Sequence, residues 1–161
     1  MKSIIVFYSY SGNTQQVAKI LAEYLRQKGE VELRELKTVD ETGSFFVQAF
    51  GAFKHKRAKI EPLNSDLGKY DLICLGTPVW AFAPVPAMNT YLDKCSGLEG
   101  KEVILFTTYG SGSGNKRCLN YMQGLLSPKG VKTFKRFSVQ QGKVKDKEWV
   151  FKELMRLWPK G

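Results

Sequence analysis

A chain of 161 residues with 43% hydrophobic content is long enough for a single domain, 1–161, with a sizeable core. No apolar run approaches the roughly 18 residues of a membrane span, and the three cysteines, Cys74, Cys95 and Cys118, form no CxxC pair and have only His55 as an imidazole partner. The expectation is therefore a cytoplasmic protein with no membrane insertion and no structural metal, while the formal charge of +10 attracts acidic partners, nucleic acid or anionic lipid without choosing among them.

Residues 3–8, SIIVFY, form a short apolar run rich in β-formers. They pass straight into a polar loop, as a buried strand does and a signal peptide does not. Residues 14–28 place Val17, Ile20, Leu21, Tyr24 and Leu25 on one helical face, and Gly29 is the expected carboxyl-terminal cap. Val31, Leu33 and Leu36 alternate with polar residues, which suits an edge strand. Residues 44–55 carry Phe46, Ala49, Phe50 and Phe53 at helical spacing; a dimer face and ordinary helix core are both open readings, and core is preferred.

A third strand at 71–76 runs into Thr77 and Pro78, and a proline-punctuated loop precedes a helix at 86–95. Residues 102–108 form a fourth strand, Asn115 is expected to cap a helix to about Leu126, and residues 131–138 form a fifth strand. An amphipathic helix at 146–158, capped by Asp146, closes the chain. Strands that alternate with helices make an α/β fold with a parallel sheet covered on both faces, because each right-handed crossover needs a helix.

Ligands of such sheets bind beyond the carboxyl ends of the strands. The first such loop, Ser9-Tyr10-Ser11-Gly12-Asn13-Thr14, enters a helix amino terminus, where N–H groups, the helix dipole and small hydroxyl and amide side chains can hold a phosphate. The competing reading is that Ser11 or Asn13 only caps the helix, worth about 1 kcal/mol. Neither a GxxxxGK[ST] loop nor a GxGxxG turn is present, so a mononucleotide phosphate fits better than a triphosphate or dinucleotide. The loop Thr77-Pro78-Val79-Trp80-Ala81-Phe82-Ala83-Pro84 stiffens aromatics between prolines, where they can stack on a planar ligand. The loop Thr107-Thr108-Tyr109-Gly110-Ser111-Gly112-Ser113-Gly114-Asn115 adds an aromatic and three glycines that permit close backbone approach.

Together FYSYSGNT, GTPVWAFAPVP and TTYGSGSGN resemble, in order and across essentially the whole chain, the phosphate loop and two flavin-holding loops of the flavodoxin superfamily. The resemblance implies a three-layer α/β/α sandwich with a five-stranded parallel sheet of order 2-1-3-4-5, and FMN as cofactor. It implies that Ser9, Tyr10, Ser11, Gly12, Asn13 and Thr14 hold the phosphate. Thr77, Pro78, Val79, Trp80, Ala81 and Phe82, with Thr108, Tyr109, Gly110, Ser111, Gly112 and Asn115, would surround the isoalloxazine, with Trp80 and Tyr109 stacking on it.

Flavodoxins that carry electrons are typically acidic, whereas this chain is basic, which bears on the partner more than on the cofactor. A unit charge about 10 Å from the ring contributes only about 0.4 kcal/mol in water-like dielectric, so remote lysines steer association more than they tune potential. The expected function is electron transfer between redox partners, an acidic redox protein among them. The alternative is an NAD(P)H-dependent FMN reductase acting on a quinone or similar acceptor. No acid, base or nucleophile stands out in the loops apart from Tyr109. A signalling receiver lacks its paired acids after the first strand, and a nucleic-acid module lacks a groove-reading motif.

Overall fold

Strand β1 (Lys2–Phe7) and helix α1 (Asn13–Arg26) open the chain, and β2 (Glu30–Glu35) follows. The computed structural model describes residues 1–39, 55–110 and 112–159. Strand β3 (Leu72–Trp80) turns back into the two-residue β4 (Ala83–Pro84), which leads to α2 (Pro86–Lys94) and β5 (Glu102–Tyr109). Helix α3 (Asn115–Leu126), strand β6 (Thr133–Gln140) and helix α4 (Lys147–Leu157) complete the described elements. The order β2-β1-β3-β5-β6 is parallel throughout, and β4 lies off this path, antiparallel to the end of β3. The expected five-strand order is thus present with one short strand added.

Because a strand's side chains alternate between faces, the central strands feed two apolar layers. Ile4, Val6, Ile73, Leu75, Val103 and Leu105 pack with Met88, Tyr91 and Leu92 of α2 and Leu119 and Met122 of α3. Ile5, Phe7, Cys74, Ile104 and Phe106 pack with Val17, Leu21 and Leu25 of α1 and Val150 and Leu154 of α4. Strand β2 sits at the sheet edge, half-buried, as its polar alternation predicts. All three cysteines are buried free thiols, and burial pushes their ionisation up, for Cys95 to about 11.

Several local expectations are corrected. Helix α1 ends at Arg26, and its carboxyl cap is Gln27, not Gly29. Gly29 is required instead because a Cβ there would lie 2.0 Å from the Met1 carbonyl oxygen. Gly114, at φ +129, occupies the position before α3 that Asn115 was expected to fill; Asn115 is the first helical residue. Asp146 does cap α4, accepting from the Trp149 N–H at 3.0 Å. Strand β3 does not stop at Gly76 but continues through Pro78 to Trp80. Pairing with β1 ends at Gly76, so the N–H that Pro78 lacks is not needed on that side, while β5 still pairs as far as Thr108. The helix expected at 44–55 falls outside the described residues except for His55.

Candidate functional site

The three loops singled out in the sequence converge at the carboxyl ends of β1, β3 and β5. The first wraps into α1 through Gly12, which takes the residue position before the helix at φ +90 and faces open space where a Cβ would project. Neither Ser11 nor Asn13 caps the helix. A helix start leaves four N–H groups without intrahelical acceptors. Here the Gln15 N–H donates to Ser9 Oγ at 3.1 Å, and those of Gly12, Asn13 and Thr14 find no acceptor among the described residues. Three unsatisfied donors at the positive end of a helix dipole, with no carboxylate anywhere in the three loops, constitute an anion cradle.

Thr14 is 1% exposed, and its hydroxyl hydrogen-bonds that of Thr108 at 2.7 Å, tying the first loop to the end of β5. From β3, Trp80 is buried at 7% exposure, edge-on to Tyr10 (centroids 5.4 Å apart) and Tyr8 (6.0 Å). Its position is fixed from below: the Thr77 hydroxyl donates to the Pro78 carbonyl and accepts from the Val85 N–H, bracing the β3–β4 turn.

That turn consists of Ala81 and Phe82, at φ +47 and +66, between the paired residues Trp80 and Ala83. Two-residue hairpins of this kind favour glycine or asparagine, so alanine and phenylalanine hold it against backbone preference. Phe82 is 45% exposed and does not line the cleft. Its ring lies against Gly114, where a Cβ would come within 2.6 Å, so the β3 and β5 loops meet through an aromatic ring seated on a glycine.

Between the loops opens a cleft of about 370 Å³. Of the residues singled out in the sequence, Tyr10, Ser11, Asn13, Thr14, Pro78, Val79, Trp80, Thr108, Tyr109 and Gly110 line it. Ser9, Gly12, Thr77, Ala81, Phe82, Gly112 and Asn115 do not; Ser9 and Thr77 brace the loops, and Gly12 shapes the turn. Ser111 lies outside the described residues. Gln141, missed in the sequence, also lines the cleft, and its neighbour Gln140 donates to the Gly110 carbonyl at 3.1 Å. The signal was available: residue 141 follows the carboxyl end of the fifth parallel strand, which obeys the same rule as the other three.

Comparison with known proteins agrees with this architecture. A family model described as NADPH-dependent FMN reductase matches residues 2–143. Among solved structures, a flavoprotein in complex with FMN from Lactobacillus acidophilus NCFM is 22% identical over 91% of this chain and 98% of its own, with a TM-score of 0.65. A flavodoxin from the domain Archaea is 16% identical, covers 98% and 99% and has a TM-score of 0.60. An NADH:FMN oxidoreductase in its apo form is 15% identical, covers 98% and 86% and has a TM-score of 0.66. At these identities the likeness establishes a shared flavodoxin-like fold.

Proposed function

The chain belongs to the NADPH-dependent FMN reductase family and binds FMN, and we propose that it holds this cofactor across the strand-end cleft and exchanges electrons between redox partners through it. The observation that carries the reading is the junction, in one cleft, of an anion cradle at α1 with an aromatic wall. The residues present suit the group. The N–H groups of Gly12, Asn13 and Thr14, with the Ser11 and Asn13 side chains, would hold the phosphate; Trp80 and Tyr109 would flank the isoalloxazine, an offset stack adding about 0.5–1.5 kcal/mol beyond burial. Backbone groups of Val79 and Gly110, which line the cleft, would reach the ring edge.

When bound, FMN supplies the one- and two-electron chemistry. The chain's own part is to bind, orient and shield. Among the described lining residues there is no carboxylate, histidine or cysteine to serve as acid, base or nucleophile. The family match favours a second reading of the same site, in which NAD(P)H alone reduces the protein and a quinone or similar small molecule accepts the electrons. The domain boundary 1–161 and a location in the cytoplasm belong to this proposal as well; no described helix is long and apolar enough to cross a membrane.

Titration with FMN and with riboflavin tests the site. Gly12→Val forces a β-branched residue to φ +90 and should weaken FMN about tenfold or more, the equivalent of about 1.4 kcal/mol, while sparing riboflavin. Equal losses for both ligands would remove the phosphate assignment. Anaerobic mixing of the FMN-loaded protein with NADPH then separates the readings: prompt bleaching of the flavin supports the reductase, and dependence on a protein donor supports the carrier.

A further inference from the structure

Charge is distributed unevenly between the two ends of the sheet. At the amino ends of the strands Lys2, Lys69 and Lys132 alternate with Glu30, Asp71, Glu99 and Glu102. Around the cleft, Lys116, Arg117, Lys143 and Lys145 are all exposed, and among the described residues only Lys143 has an acidic partner, Asp146 at 3.6 Å. Lys116 and Arg117 stand in the first turn of α3, which holds no acidic residue. Folding gains nothing from cations at that end of a helix, because the dipole is already positive there. Gly114, two residues before Lys116, carries the ring of Phe82, which is 45% exposed and sits in a strained turn. Lys143 follows the cleft residue Gln141 by two positions on the other side. Helix α3 packs on one face of the sheet and α4, which the 141–145 segment enters, packs on the other, so the cations bracket the cleft mouth from both.

Exposed aromatic surface with arginine at its edge and a surplus of one charge is the composition of a protein-docking face. We propose that the rim formed by Phe82, Lys116, Arg117, Lys143 and Lys145 docks an acidic redox protein. The inference rests on the FMN reading above and names the partner of that site. Each encounter moves one electron: the acidic protein is oxidised by one electron and the FMN reduced by one. Two encounters and two protons from solvent complete the reduction.

The test uses the FMN-loaded protein, first desalted and checked for bound flavin by absorbance, then mixed in a stopped-flow instrument with reduced plant-type [2Fe–2S] ferredoxin as the acidic probe. The rate constant should fall about tenfold between about 20 and 300 mM salt, whereas electron transfer from the reduced protein to basic cytochrome c should quicken as salt rises. Lys116→Glu/Arg117→Glu and, separately, Lys143→Glu/Lys145→Glu should each lower the low-salt ferredoxin rate about tenfold and leave FMN affinity unchanged. Calorimetric titration with oxidised ferredoxin should lose its binding heat in parallel. A rate indifferent to salt or to both charge reversals would overturn the docking face. So would a charge reversal that raises KM for NADPH but leaves the ferredoxin encounter intact, which would assign the rim to a nucleotide. Loss of flavin at the desalting step would instead overturn the underlying cofactor reading.

Discussion

Thr14 and Thr108 meet through hydroxyls 2.7 Å apart in a buried setting, and this single bond joins the start of α1 to the end of β5. Removing one partner strands the other, which costs about 1–3 kcal/mol for a buried hydroxyl, whereas removing both leaves nothing unsatisfied. Thr14→Val and Thr108→Val should therefore each destabilise the apo protein by about that amount. The double variant should cost clearly less than their sum when measured by urea unfolding. Gly76 is a second such point: a Cβ there would lie 2.0 Å from Phe106 Cζ, inside the stacked Phe106–Phe137 pair. Gly76→Ala is expected to cost about 1–3 kcal/mol through overpacking, read as a lower urea midpoint with an unchanged slope.

Helix α4 shows what local chemistry contributes to an element. Asp146 accepts the Trp149 N–H at its start. At its end Trp158 stacks on Tyr24 with centroids 5.6 Å apart, beneath the ammonium groups of Lys28 and Lys135. Asp146→Ala should cost about 1 kcal/mol, and Asp146→Asn far less, since an amide oxygen still caps. This cap was legible because a helix amino terminus needs an acceptor, and Asp146 stands in front of an amphipathic run. The corresponding reading of Asn115 failed because Phe82 occupies the space above the helix start, which only a glycine before α3 tolerates. That constraint comes from a residue 32 positions away. The continuation of β3 through Pro78 was hidden for a similar reason: whether a proline ends a strand depends on which neighbours still need its N–H, a property of the sheet and not of the segment.

Across the whole molecule, the alternation of strands and helices followed from period-two and helical patterning, and the position of the cleft from the rule that ligands of such sheets bind beyond the carboxyl ends of the strands, whereas the strand order came from the family resemblance. Which of the loop residues face the cleft followed only in part. Thr77 turned out to brace a turn, Phe82 to seat on Gly114, and Gln141 to complete the wall, all decided by contacts between loops distant in sequence. The fold's response to pH belongs to this scale too. On the edge strand, the Tyr70 hydroxyl and then Arg34 hold the Glu32 carboxyl below its usual range, against the opposing effect of burial. Its stabilisation is present above the ordinary carboxylate range and is lost as pH falls through the depressed value. Burial first, and then the bond to Glu32, push the Tyr70 phenol up to about 12. The folded protein keeps a proton that the unfolded chain releases near 10, so this stabilisation is whole below about pH 10 and disappears as pH rises toward 12. Urea midpoints measured across that window should decline, and Tyr70→Phe should flatten the decline.

The burial of all three thiols gives the molecule a built-in clock. Thiol reagents reach a sealed side chain only while the chain is open, so the labelling rate at each cysteine times the opening of its own neighbourhood. Cys118 lies one turn below Gly114, to whose carbonyl its N–H donates at 2.9 Å, while Cys74 lies in the central strand β3 between β1 and β5. Breathing of the glycine-rich loop would expose the first and leave the second shielded until the sheet itself parts. Mass spectrometry of the two sites, with and without flavin, would thus separate a loop that gates the cleft from a fold that comes apart.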